Sequence, residues 1–295
     1  MAGKKSVKTS LKESLSLQVK AQQYYGYADR FNRVPLFISL QLSNSGAESA
    51  EGIEVVIENG NGFLVPFSKH FEEIPYESSV EIEAPDIVSP LFLTELAEVR
   101  EETVTVRVLH GKDVVAEASV RNTVLPFDYW SGRSGNAELL ASFVRPKVAD
   151  CLRVLDDARA QLKKWNADTE WSGYQEGDKN KMRLLAAAVF AAVKRHVIEK
   201  SAAEYSYDAP VPVGDITKIL KNKVGTSFEL VLFLASCFEC AHLHPVIAMG
   251  EKSVSCGVWL YENCFSDSAG DDTVLLGNYI SDGINNISMF DAEDV

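Results

Sequence analysis

The residues best placed to carry chemistry are two serines, 26 positions apart, in the surroundings expected of a thiol active site. Ser227 follows Gly225 and Thr226 at the start of an apolar stretch, and Ser253 precedes a run that contains Trp259. A cysteine becomes a nucleophile when a helix N-terminus and a neighbouring imidazole lower its pKa. Serine at both positions supplies neither an acidic thiol nor a general base. The pattern therefore predicts the frame of a cysteine-dependent site without its reactive pair.

Hydrophobic periodicity predicts the elements that position these serines. Residues 228–241 predict a buried apolar helix, which Pro245 helps to end. Residues 246–249 and 254–260 predict two strands, with Ser253 at the start of the second. The two serines are expected to face each other across a groove. The predicted cleft residues are Thr226, Ser227, Glu229, Ser253, Cys256 and Trp259.

Two motifs connect this region with a known family. The run Gly-Thr-Ser-Phe-Glu-Leu that begins at Gly225 continues to Val246, and Gly-Val-Trp-Leu follows from Gly257. It resembles the transglutaminase-like domain near the N-terminus of large bacterial helicase-nuclease proteins. That family has Gly-Thr-Cys-Leu-Asp, an apolar helix, Gly-Leu-Asn-Pro and then Gly-His-Ala-Phe-Val-Gly-Val-Trp-Leu. Ser227 falls on the cysteine and Ser253 on the histidine, which implies a pseudoenzyme.

The likeness extends over nearly the whole chain. Similar residues occur at 34–36, 93–96, 128–132 and 173–175. The family places an immunoglobulin-like sandwich before the transglutaminase-like part. Alternating apolar residues, as in 104–108, independently predict strands in the first half. We expect an α+β protein: an N-terminal antiparallel β-sandwich (Ig-like), then a degenerate transglutaminase-like, papain-like α+β domain. The predicted parts are a basic flexible arm at 1–14, the sandwich at 15–126, a linker at 127–135 and the pseudoenzyme domain at 136–295.

Some features depart from the family pattern. The Pro-Pro-x-Ser-Phe-Glu stretch that precedes Gly-Thr-Cys in the family is replaced by residues 205–212. The sequence ends at Val295 without a phosphate-binding loop, which leaves either a free-standing relative or a fragment of a longer protein. A cysteine-to-serine change can also be an experimenter's substitution. Because the histidine position has changed as well, natural loss of activity is the favoured interpretation.

Composition and charge narrow the class of partner. The chain has 46% hydrophobic residues and a net charge of −13, spread over both halves, so most of its surface repels nucleic acid. Its N-terminus lacks the apolar stretch of a secretory signal, and its five cysteines make no disulfide framework. We expect a cytoplasmic protein that does not insert in a membrane. No Lys or Arg follows Lys252 while acidic residues accumulate, which indicates either a solvated end or a docking surface for a basic partner.

Two further constellations could carry chemistry. Cys237 and Cys240 have C-x-x-C spacing with His242 and His244 nearby, but they lie within an apolar helix. They are interpreted as core side chains, and neither a metal nor a cofactor is predicted. The same histidines could serve Ser227 as a base only across a full helix, about 20 Å, which is beyond hydrogen-bond reach.

Three functions remain open at this stage. The leading one is a non-catalytic binding or scaffold module, a subunit or sensor of a bacterial anti-phage defence assembly. Its partner is then a protein, such as a helicase or nuclease of the same assembly. The second is a cysteine-dependent acyltransferase or protease whose nucleophile has been replaced, or is another thiol such as Cys256. The third is a regulatory fragment of a helicase-nuclease.

Overall fold

The chain is an α+β protein with several separate sheets. A computed structural model describes residues 10–83, 85–170, 173–196, 199–201, 206–251 and 253–291. The chain divides into two compact units, residues 1–131 and 132–295. The boundary lies inside the stretch 127–135 for which a linker is predicted.

Two β-sheets build the first unit. One has the strand order β1-β3-β6 and the other the order β2-β8-β7-β4-β5. All neighbouring pairs are antiparallel except β2 and β8, which are parallel. The strands are β1 Leu15–Ala21, β2 Tyr24–Gly26, β3 Phe37–Asn44, β4 Ala50–Glu58, β5 Phe67–Ile74, β6 Ser78–Glu81, β7 Arg100–His110, β8 Asp113–Leu125 and a short β9 Tyr129–Trp130, and the helices are α1 Leu11–Ser14, α2 Tyr27–Phe31 and α3 Pro90–Glu95.

A single hydrophobic core lies between these two sheets. Val104, Val106 and Val108 alternate along β7 and are fully buried, because successive side chains of a strand point to opposite faces. They share one buried cluster with Leu40 and Leu42 of β3, which belongs to the other sheet. The period-two pattern in the sequence thus marks the inner face of each sheet.

The start of the chain differs in part from the predicted arm. Residues 11–14 form α1, Ser14 is buried, and Leu11 packs against the core. The prediction of a flexible arm is therefore wrong for 11–14, because an apolar residue there contributes to the sandwich core. Residues 1–9 of the predicted arm lie outside the described part of the chain.

The second unit packs helices on a small antiparallel sheet. Its sheet has the order β13-β14-β15, and α7 contacts α4, α5, β13 and β14. The short strands β10 and β12 pair in parallel, and β12 directly precedes the cap of α7. The elements are a 3₁₀ helix Ala137–Phe143, α4 Ala149–Lys164, α5 Lys179–His196, β10 Glu199–Lys200, β11 Val211–Pro212, α6 Ile216–Asn222, β12 Val224–Gly225, α7 Ser227–Cys240, β13 Pro245–Met249, β14 Val254–Trp259, α8 Thr273–Ile280 and β15 Ile287–Asp291.

The central helix of this unit is α7. Its apolar residues are buried on every side, as expected of a helix enclosed by other elements. Ser236, a polar residue in its middle, donates to the Leu232 carbonyl (2.7 Å) and accepts from the Arg145 amide (2.9 Å). Both hydrogen-bonding functions of that buried hydroxyl are therefore satisfied.

One helix is shorter than its periodicity predicts. Apolar residues at helical spacing predict a helix from about Lys179 to Lys200, whereas α5 ends at His196 and Glu199–Lys200 form β10. Residues 197 and 198, which the prediction included, lie outside the described part. None of the described helices is long and apolar enough to cross a membrane.

Candidate functional site

The N-terminus of α7 is fixed by a reciprocal capping box. The Glu229 carboxylate accepts from the Thr226 amide (2.8 Å) and from its hydroxyl (2.9 Å). The Glu229 amide donates to Thr226 Oγ1 at 3.2 Å. This arrangement satisfies two amides that would otherwise lack partners and puts a negative charge near the positive end of the helix. Thr226 and Glu229, both predicted cleft residues, therefore have a structural task that occupies their side chains.

Gly214 lies directly against this carboxylate. A Cβ atom at Gly214 would overlap Glu229 Oε1 and come 2.6 Å from Glu229 Cδ. The loop before α6 thus approaches the α7 cap so closely that a side chain at 214 would displace the Glu229 carboxylate or the loop. No sequence pattern marks Gly214 as a contact of the cap, and only its position in the loop between β11 and α6 is consistent with one.

Ser227 is the first residue of α7, where a nucleophile would benefit from the helix dipole. Its side chain is partly exposed. Among the described residues, no group donates to or accepts from its hydroxyl. The position therefore has the setting of a nucleophile, but its hydroxyl has no base beside it.

Ser253 lies in the turn between β13 and β14 and is exposed. The Gly250 amide donates to the Ser253 carbonyl (2.9 Å), which closes this turn. Residue 252 lies outside the described part. No hydrogen bond joins the hydroxyls of Ser227 and Ser253 in the described residues.

The connection after α7 determines where this turn lies. Residues 241–244 join α7 to β13, and His242 adopts a left-handed conformation (φ 60°) that reverses the chain. Because β13 and β14 both contact α7, the strand returns along the helix. The five residues of β13 span about 17 Å, and the fourteen residues of α7 span about 21 Å. The turn with Ser253 thus lies at the end of the hairpin that is farther from the α7–β13 connection.

A carboxylate lies at the same end of the sheet. Asp291 of β15 is paired with Ser255 of β14, two residues after Ser253. In triad enzymes a third group of this kind orients the base. No sequence signal singles out Asp291 as a site residue, because apolar and polar residues do not alternate clearly along β15.

The structure corrects the prediction for Cys256. Its side chain is fully buried, and burial raises the pKa of its thiol. It shares a strand face with Val258 and lies opposite Phe290, whose ring packs 5.5 Å from Phe238 of α7. This face is the core side of the sheet. Cys256 therefore neither lines an accessible cleft nor offers a thiolate, and the alternative in which it acts as the nucleophile loses its support.

Trp259 also differs from its predicted role as a cleft residue. It is 2% exposed and, because side chains alternate along β14, its indole lies on the face opposite Cys256. The ring packs 4.9 Å from Tyr279 and 5.1 Å from Phe265, and edge-on against Tyr261. Trp259 thus anchors the segment after β14 to the sheet.

Tyr174 connects the strand with the loop after α7. It donates to the Trp259 carbonyl (2.9 Å) and accepts from the His244 amide (2.8 Å). Burial is the main cause that raises the pKa of its phenol. Tyr174 belongs to the stretch 173–175 that resembles the family, and its contacts give that stretch a structural role.

The histidines of the second unit are engaged away from Ser227. His196 pairs with Asp157 (2.7 Å), and a ring nitrogen of His244 meets the Asn263 carbonyl (2.8 Å). His242 lies beyond the C-terminal end of α7, so it is separated from Ser227 by the whole helix. The expectation that neither His242 nor His244 serves Ser227 agrees with this placement.

Four of the five cysteines lie near the C-terminal half of α7. The Cys151 thiol donates to the Arg145 carbonyl (3.7 Å), and Cys151 and Cys237 are both fully buried. Within the described ranges, no group of three or more His, Cys, Asp or Glu side chains is arranged to hold a metal ion.

Two cavities of the second unit lie away from both serines. One, of about 220 Å³, is lined by Asp150, Arg153, His196, Thr217, Leu220 and Lys221. The other, of about 340 Å³, lies between the end of α4 and the start of α5 and is rimmed by acidic residues including Asp168 and Glu176. Lys181 already bridges these two carboxylates (2.8 and 2.7 Å).

Comparison with known proteins assigns no family. No protein-family model matches the chain, and no curated protein matches it.

Proposed function

We propose that the chain is a non-catalytic binding or scaffold module built on a degenerate transglutaminase-like fold. The observation that carries the proposal is Ser227 itself. It begins a buried helix with a complete capping box, yet its hydroxyl has no partner among the described residues. A serine hydroxyl in that position needs an imidazole to take its proton, but His196 and His244 are hydrogen-bonded elsewhere and His242 lies beyond the far end of α7.

The order of elements supports the transglutaminase-like part of this proposal. A helix that starts at the nucleophile position is followed by an antiparallel sheet, and the histidine position precedes its middle strand. Asp291 supplies a carboxylate at the same end of the sheet. This order of elements supports the proposal of a three-residue frame in which two of the positions are hydroxyls.

The strand order of the first unit supports the immunoglobulin-like part. Two sheets that enclose a common core, one of three strands and one of five, have the layered arrangement of a β-sandwich. Strand β7 pairs with both β4 and β8, so these three strands form the centre of the larger sheet. Such domains more often present binding surfaces than perform reactions.

The biological setting is proposed from the resemblance. We propose a cytoplasmic subunit or sensor of a bacterial anti-phage defence assembly, whose partner is a protein such as a helicase or nuclease of that assembly. The net charge of −13 disfavours direct contact with nucleic acid, because phosphates would meet a surface of the same sign.

Restoring the reactive pair tests whether the two positions face each other. Three variants are made in a Cys264→Ser background: Ser227→Cys alone, Ser227→Cys with Ser253→His, and Ser227→Cys with Ser253→Gln. The experiment compares how iodoacetamide alkylation of residue 227 depends on pH in each of them. A facing imidazolium stabilises the thiolate, so the variant with histidine should react at a pH lower by about one unit or more. Identical profiles for the histidine and glutamine variants would contradict the proposed site geometry.

Lack of catalysis is tested on the unaltered protein. Peptides that contain glutamine are incubated with a primary amine, and mass spectrometry detects amide hydrolysis or transamidation. We expect neither product above the protein-free rate. Turnover that disappears in Ser227→Ala would overturn the proposal of a non-catalytic module.

A further inference from the structure

The helix α8 carries an apolar stripe that the second unit leaves largely uncovered. Leu275, Leu276, Tyr279 and Ile280 lie within about 140° of one another on a helix that turns 100° per residue. None of the residues of α8 is buried. Leu275 remains 42% exposed and Ile280 39% exposed. An apolar stripe of this width normally faces a core.

The helix is nevertheless held in a defined position. Its N-cap, Asp272, accepts from the Leu275 amide (2.9 Å), and the Asn286 amide donates to the Tyr279 carbonyl (2.8 Å). Tyr279 packs against Trp259 and Phe265 from the sheet side. One edge of the stripe is thus anchored to the sheet while the rest is presented outward.

Acidic residues flank this stripe, and the segment that carries it has no cation of its own, although Lys179 of α5 reaches its edge and donates to Asn286 Oδ1. Asp271 and Asp272 precede the helix and Asp282 follows it, and residues 253–291 contain no Lys, Arg or His. More aliphatic surface adjoins both ends, since Val274 is 71% and Ile284 48% exposed. The surface therefore combines apolar anchors with a negative rim. Glu293 and Asp294 continue the acidic run in sequence but lie outside the described residues.

We propose that α8 is a docking surface for a basic amphipathic helix of a partner protein. The proposal rests on the proposed function as a binding module, and it names a different surface from the Ser227 site. Apolar residues of the partner would cover Leu275 and Ile280, and Lys or Arg at its ends would face Asp271 and Asp282. A second copy of the chain is disfavoured because its own α8 would bring the same acidic rim against this one.

The charge also disfavours other occupants. An anionic bilayer and a nucleic acid would both be repelled by six carboxylates in residues 253–291. A basic protein segment is the occupant that can bury the stripe and neutralise its rim together.

A synthetic helix provides the test. The probe is a fluorescein-labelled, amphipathic 14-residue Lys/Leu peptide, with two controls of equal length: an amphipathic Glu/Leu peptide, and a Lys/Leu peptide reordered to remove the apolar face. Fluorescence anisotropy measures the Kd for the full chain at two salt concentrations. We expect binding of the first peptide only, weakened by salt. Equal binding of the reordered peptide would overturn the proposal.

Paired variants locate the binding surface. Leu275→Gln with Ile280→Gln removes the apolar anchors, and Asp271→Lys with Asp282→Lys reverses the rim without touching the cap at Asp272. Each pair should raise the Kd at least about tenfold, the equivalent of about 1.4 kcal/mol. The controls are Leu152→Gln, a 57% exposed leucine on α4, and Glu199→Lys, an exposed acid on β10; each should change the Kd less than about twofold.

Competing occupants give distinct results. Sedimentation velocity tests self-association, and flotation with phosphatidylserine vesicles tests membrane binding. A dimer or vesicle binding that Leu275→Gln abolishes would overturn the proposal in favour of that occupant. Equal effects of the α8 and control variants on peptide binding would also overturn it. These outcomes are independent of alkylation at residue 227 and of wild-type turnover, so failure of the docking surface is distinguishable from failure of the proposed function.

Discussion

The indole of Trp259 packs edge-on against the ring of Tyr279, with 4.9 Å between the ring centroids and 68° between the ring planes. Trp259 ends the middle strand of the small sheet, and Tyr279 lies in the last turn of α8. The strand that follows Ser253 therefore supports the exposed helix at its other end. A substitution of Trp259 would act on folding and on α8, and only through them on any binding function.

Trp259→Ala should be strongly destabilising. It removes a buried aromatic side chain and leaves a cavity, which costs about 3–5 kcal/mol in the free energy of unfolding. Urea denaturation measures the loss, and hydrogen exchange should show faster opening of residues 273–280. Trp165→Ala is the matched control: Trp165 is 42% exposed and should cost much less. Equal costs for the two variants would contradict the packing described for Trp259.

Tyr174→Phe should weaken the link between β14 and the loop after α7. The variant leaves the Trp259 carbonyl without its donor and the His244 amide without its acceptor, at a cost of about 1–3 kcal/mol. Chemical denaturation of the variant and the wild type at neutral pH measures this difference. An unchanged free energy of unfolding would indicate that water replaces the hydroxyl.

The stability of the wild type and that of Tyr174→Phe should depend differently on pH, because the pKa of Tyr174 is raised in the folded protein. The folded protein holds the phenol proton more tightly than the unfolded chain does, so this contribution is fully present below the unfolded pKa of about 10 and is lost as pH rises through the higher folded pKa. The wild type should therefore lose stability more steeply than Tyr174→Phe above about pH 10. Parallel stability curves for the two proteins between pH 8 and 11, roughly, would contradict this assignment.

The elements around the site were predictable because their signals are local. The apolar run of α7 and its Thr226 and Glu229 cap specify both the helix and its first turn. The strands β13 and β14 follow from apolar runs bounded by His244-Pro245 and by the Gly250 turn. These features depend on neighbours in the sequence and need no knowledge of the tertiary fold.

The errors concern which face of an element a residue occupies. Cys256 and Trp259 lie on opposite faces of β14: Phe290 and Phe238 pack on the first face, and Tyr279 of α8 packs on the second. The apolar run along β14 has no alternation that distinguishes the two faces. The α8 helix was missed because Gly277 interrupts a short apolar segment, and the contact of Gly214 with Glu229 depends on the path of a loop.

Gly214→Ala should be destabilising through a steric conflict. The added methyl group would overlap the Glu229 carboxylate, so the loop or the cap must shift, at a cost of about 1–3 kcal/mol. Combining the change with Glu229→Ala should cost less than the sum of the single changes, because the second substitution removes the clash. Gly60→Ala is the control, since no atom lies within 4 Å of a Cβ there. Additive effects in a double-mutant cycle, measured by urea denaturation, would contradict this contact.

The reactivity of the natural cysteines should follow their burial. Cys264 is exposed, whereas Cys151, Cys237 and Cys256 are fully buried. Burial raises the pKa of the thiols of Cys237 and Cys256, so both are protonated as well as inaccessible at neutral pH. Brief treatment of the native protein with iodoacetamide, followed by peptide mass spectrometry, should find the label on Cys264 first. The three buried cysteines should react only in urea, at a rate that tracks unfolding. Rapid native labelling of Cys256 would mean that β14 opens to solvent, and it would restore that thiol as a candidate nucleophile.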